Sequence, residues 1–150
     1  MIINIEEARK TILPRKTLLL QLQSAVGFQI ELWQVVDLLE RLIASDYDPL
    51  LWIEERGSQV SGTEEITMAD VDDYLRRLGI QAREGIPLRS EVFRWLRIGI
   101  LYYLALDFMI GILKKSRHVD FDIRAWVSTA ATHVHDSTEI TLADVDEFLR

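Results

Sequence analysis

The chain has 150 residues, 17 basic against 24 acidic side chains for a formal charge of −7, no cysteine, and 49% apolar residues. A chain of this length buries roughly two thirds of its unfolded surface, so its core needs no covalent staple. Without cysteine there are no disulfides, thiolate metal sites or cysteine nucleophiles. The acidic balance opposes non-specific nucleic-acid binding, which depends on lysine and arginine neutralising phosphates.

Residues 1–10 lack the basic start and apolar run of a secretion signal, and we expect a cytoplasmic protein. The stretch NIEE (4–7) reads as a capping box for a short helix, with a strand over residues 1–5 as the alternative. After Pro14, residues 15–44 read as one long helix. Leu18, Leu22, Ala25, Leu32, Val36, Leu39 and Ile43 follow helical steps, with Gln29 the one polar intruder. Asp48 and Pro49 supply an N-cap and a first-turn proline for a shorter helix through Trp52 to about Gly57. A loop over residues 58–65 leads to a third helix, opened by Thr67 and Asp70 and closed by Gly79.

The pattern then recurs. TEEITMADVDDYLR (63–76) aligns with STEITLADVDEFLR (137–150) at an offset of 74 residues, with 9 of 14 positions identical. The same offset pairs Trp52 with Trp126 and Asp46 and Asp48 with Asp120 and Asp122. Residues 90–116 read as a second long helix, Asp122 caps the next and Thr141 the last. The joint over residues 79–87 holds two glycines and a proline and reads as a short linker. These features imply an all-α fold of six main helices. It reads as a tandem duplication of a three-helix unit (repeats 1–79 and 80–150) in one compact domain, a pseudo-twofold bundle with its long helices packed together.

EITMADV (65–71) and EITLADV (139–145) resemble the last loop and third helix of histone-fold proteins, over about 14 residues in each copy. Elsewhere the chain departs from that pattern. Its long helix comes first, Pro49 interrupts the expected central helix, and the charge is acidic, so DNA binding is not carried over.

Candidate chemistry is sparse. Asp107 is the sole charge in the apolar run 98–113, which is shorter than the roughly 20 residues of a membrane span and interrupted upstream by Arg94 and Arg97. It therefore reads as a buried central helix, with Asp107 near the core and hydrogen-bonded to Tyr103 one turn back. A small-ligand or metal-binding helical bundle or enzyme centred on Asp107, with Tyr102, Tyr103 or the histidines, is the alternative, and membrane association through 98–113 a third reading. His133, His135 and Asp136 are weak metal candidates; an extended backbone would put both histidines on one face. Trp52 and Trp126 read as core anchors. No cofactor motif is present.

Residues 1–79 hold 8 basic and 14 acidic side chains, against 9 and 10 in residues 80–150. We therefore expect an acidic interaction surface on the first repeat, formed by Glu54, Glu55, Glu64, Glu65, Asp72 and Asp73, in a non-enzymatic adaptor, inhibitor or immunity-type protein. Its partner would be a protein, basic in character, or a second copy of the chain, rather than nucleic acid or membrane.

Overall fold

The computed structural model describes residues 14–80, 88–115 and 121–150. Six α-helices are present among these residues, and no strand: α1 (Arg15–Leu42), α2 (Pro49–Gly57), α3 (Met68–Arg77), α4 (Leu88–Lys115), α5 (Ile123–Thr132) and α6 (Leu142–Leu149). Single 3-10 turns at Thr63–Glu65 and Ser137–Glu139 precede α3 and α6. The expected helix or strand in residues 1–10, most of the joint 79–87, and Asp120 lie outside the described residues.

The boundaries follow from local chemistry. The Asp48 carboxylate accepts the Leu50 N–H at 2.9 Å, and that of Asp122 accepts the Ala125 N–H at 3.0 Å, each satisfying a donor the helix leaves open. Asp70 and Asp144 accept the N–H groups of Thr67 and Thr141 at 2.8 and 2.7 Å. Gly79, at φ 82°, ends α3 in the left-handed conformation. The Ile80 N–H reaches back to the Leu75 carbonyl and the Gly79 N–H to that of Arg76, the two bonds of a Schellman cap.

The structure divides into two compact units that cross the sequence halves. Unit 1 joins the described residues up to Ile30 with Leu106–Arg150; unit 2 is Glu31–Ala105. Each long helix thus contributes one half to each unit. A long helix followed by two short ones cannot bury its whole length locally, and here the two ends of α1 take different partners.

In unit 1, Leu18, Leu22 and Val26 of α1 are buried, as are Leu106 and Ile110 of α4, Val127 of α5 and Phe148 of α6. Gln23 Nε2 donates to the Ile140 carbonyl at 3.0 Å. Arg15 holds Asp146 through two bonds of 3.1 and 2.8 Å. In unit 2 the core gathers Leu32, Val35 and Leu39 of α1, Trp52 and Ile53 of α2, Tyr74 of α3 and Leu96 and Ile100 of α4. Arg89 binds Asp72 at 2.8 Å. The α1 stripe runs through Val35 rather than the expected Val36, which is only half-buried. Gln29 is buried among apolar neighbours in sequence, as its position on the stripe requires.

Candidate functional site

The residue that sequence reasoning placed near the core is on the surface. The Asp107 side chain is 60% exposed and pairs with Arg124 of α5 at 2.7 Å. A carboxylate among apolar residues avoids desolvation by facing outward to a cation; the 16-residue run concealed that it lies on an open face. Tyr103 is half-buried and belongs to unit 2. A Cβ added at Gly57 would run into the Tyr103 ring, which packs closely against the glycine. Asp107 therefore lies outside the core in which the sequence placed it. The half-buried Tyr102 has no described polar partner that would make it part of such a site.

His133 and His135 are exposed. His133 stands at the C-terminal cap of α5, and the His135 N–H donates to Glu139. The Asp136 carboxylate caps the following turn through the Thr138 N–H at 2.9 Å, and this bond holds it below the usual aspartate range. Among the described residues no three histidine or carboxylate groups come together as a metal site would need.

Three of the six expected acids are tied to arginines of their own unit. Arg77 spans Glu55 at 2.7 and 3.1 Å and approaches Asp73 at 3.3 Å. That guanidinium holds the Glu55 carboxyl below its ordinary value. Asp72 is taken by Arg89, and Glu65 accepts the N–H groups of Ser61 and Gly62 at 2.6 and 3.0 Å. Glu54 and Glu64 remain as exposed carboxylates.

Glu55, Asp73 and Arg77 rim a cavity of about 260 Å³ in unit 2, beside Trp52. Trp52 is buried, sets its edge against Tyr74 with centroids 5.6 Å apart, and donates its indole N–H to Asp73 at 3.0 Å. Arg56 enters the cavity from α2 and binds Asp70 Oδ1 at 2.7 Å and Gln59 Oε1 at 3.1 Å.

Unit 1 has a cavity of about 160 Å³ beside Trp126, with His133, Asp144 and Glu147 among its walls. Each of these residues lies 74 positions after one lining the first cavity. Trp126 is half-buried, with Phe148 at 5.3 Å, and so is less enclosed than the core anchor expected from sequence.

A third feature lies on α4. This helix is long and apolar enough to cross a membrane by length and composition, with mean hydropathy 1.8 over its best window, yet only 33% of that window is buried. The expectation of a buried central helix thus holds for one face only. Leu101 and Phe108, two turns apart, are 52% and 70% exposed. Within unit 2, Phe93, Arg94, Arg97, Ile98 and Leu101 border an open groove of about 300 Å³. The Arg97 guanidinium lies over Phe93 at 5.3 Å, and its Nε is buried with no hydrogen-bond partner among the described residues.

Comparison of the chain with models of protein families, with curated proteins and with solved structures finds no match.

Proposed function

We propose that the chain is a non-enzymatic protein-interaction protein whose docking surface is the outward face of α4. The observation that carries this reading is the exposure of Leu101 and Phe108 on the one helix among the described residues that is long and apolar enough to cross a membrane. Residues seven apart return to the same face of a helix, the repeat by which one helix packs on another. Burying either side chain fully contributes about 1.5–3 kcal/mol.

The occupant is an amphipathic helix of a partner protein, with apolar side chains at 3- and 4-residue steps and carboxylates at its edge. Arg94 and Arg97 flank the groove and Lys114 and Lys115 end the helix. A partner carboxylate would pair with the guanidinium groups of Arg94 and Arg97 at the groove, whereas a second copy of α4 would bring cations against cations. The partner charge favoured by this surface is therefore opposite to the one the net charge suggested.

A protein is favoured over a membrane because α4 packs its other face within the chain, Gly99 lying against Val35 of α1 and Ile53 of α2. Entry into lipid would break the Asp107–Arg124 and Arg89–Asp72 pairs.

Selection of a displayed library of amphipathic-helix peptides on the intact chain tests this reading. The expected binders carry Asp or Glu beside a 3–4 apolar repeat, perturb the NMR signals of Ile98, Leu101 and Phe108, and lose at least about tenfold in affinity to Leu101→Asp. Failure to select binders, binders that map elsewhere, or tight binding of the intact chain to phosphatidylcholine–phosphatidylglycerol vesicles would overturn it.

The reading includes a tandem duplication. Two ion pairs support it: Arg15 with Asp146 in unit 1 and Arg89 with Asp72 in unit 2. Arg89 follows Arg15 by 74 positions, and Asp146 follows Asp72 by the same number. Each copy thus lends the start of its long helix to the last helix of the other.

A further inference from the structure

We propose that the cavity beside Trp126 in unit 1 receives the guanidinium of an arginine presented by a partner polypeptide. This inference goes beyond the docking face on α4 and does not depend on it.

Unit 2 shows the chemistry with its own arginine in place. Asp70 divides its carboxylate: Oδ2 caps α3 through the Thr67 N–H, and Oδ1 holds Arg56 Nε at 2.7 Å. In unit 1, Asp144 repeats the first half of that arrangement, with Oδ2 taking the Thr141 N–H at 2.7 Å and its hydroxyl at 3.2 Å. The residue 74 positions after Arg56 is Ala130, so the guanidinium is missing from the counterpart site. Both residues belong to cavity walls, together with a tryptophan and a second carboxylate, Asp73 in unit 2 and Glu147 in unit 1. His133 stands where Gln59 accepts from Arg56, and a neutral imidazole can accept in the same way.

The size and the groups fit an arginine. The cavity of about 160 Å³ matches a space of roughly 150 Å³ that admits a benzene-sized group, and a guanidinium is smaller. Its planar fork matches two carboxylates and stacks on an indole, which a lysine ammonium does less well. A divalent cation lacks a sufficient ligand set among the described residues. The cavity opens to solvent at the exposed His133 and Glu147, so a free small guanidine would bury little surface, whereas a polypeptide adds contacts around the rim.

The test is an NMR titration of the full chain with the blocked peptide Gly-Arg-Gly, its citrulline and lysine analogues, and free agmatine. The arginine peptide is expected to shift the Trp126 indole N–H and the Ala130 amide. Citrulline should bind at least about tenfold more weakly, because a charge-assisted pair is lost. Ala130→Arg, which fills the cavity from within, should abolish the shifts and raise Tm. Glu147→Gln, which leaves the Thr141 cap intact, should weaken binding several-fold.

Absence of shifts at Trp126, equal binding of citrulline, or unchanged binding in Ala130→Arg would overturn the proposal. Agmatine binding as tightly as the peptide would overturn the polypeptide source.

Discussion

Tyr74 is buried against Trp52, and burial pushes its phenol above the ordinary value of 10.0. A phenol that is harder to ionise in the folded chain contributes stability intact below that value and lost as pH rises above it. We expect Tm to fall between about pH 9 and 11 in the native chain and to fall less in Tyr74→Phe, measured by thermal denaturation across that range. Phe148, 74 positions on, sets its ring edge-on against Trp126 and carries no hydroxyl. Tyr103 makes a second case. Its ring occupies the space a Cβ at Gly57 would need, and Gly57→Ala should destabilise by about 1–3 kcal/mol in urea unfolding, outweighing alanine's helix preference of about 1 kcal/mol. Neither contact was legible in the sequence, because a glycine at a helix end reads as a terminus and not as a seat for an aromatic ring. Asp107 misled for a related reason: hydropathy along a chain carries no sign of which side of a helix is covered.

At the level of elements the sequence was most informative where one side chain meets one backbone group. Asp48, Thr67, Asp122 and Thr141 all occupy cap positions where their residue types predict them. Asp122→Ala should cost about 1 kcal/mol, with fraying confined to the start of α5 in hydrogen exchange. The pairing of Glu55 and Asp72 was hidden because their arginines lie 22 and 17 residues away, beyond any local spacing rule, whereas Asp73 sits one helical turn from Arg77. Glu55 bound to Arg77 should still register in titration. Its lowered carboxyl favours the folded state above the ordinary value of 4.5 and loses that effect as pH falls below it. The exposed strip on α4 has the opposite history. Its apolar character was plain, but its exposure depended on how many short helices were available to cover it.

For the whole molecule, the recurrence at 74 residues was visible and the division of labour between units was not. Periodicity defines segments, whereas the pairing of the first half of α1 with residues 106–150 is a matter of which surfaces fit. Fragments 1–79 and 80–150 should therefore each show less helix alone than when mixed, by far-ultraviolet circular dichroism; full helicity in either fragment alone would contradict this. The central claim is that the outward face of α4 docks a partner helix. It is tested most directly by placing a photo-crosslinking phenylalanine analogue at position 108, with position 143 on α6 as an exposed control, in cells that naturally make the protein. The account predicts one discrete protein adduct at position 108, mapping to an amphipathic helix edged with carboxylates, and none at 143. No adduct, a lipid adduct, or the same products from both positions would contradict it.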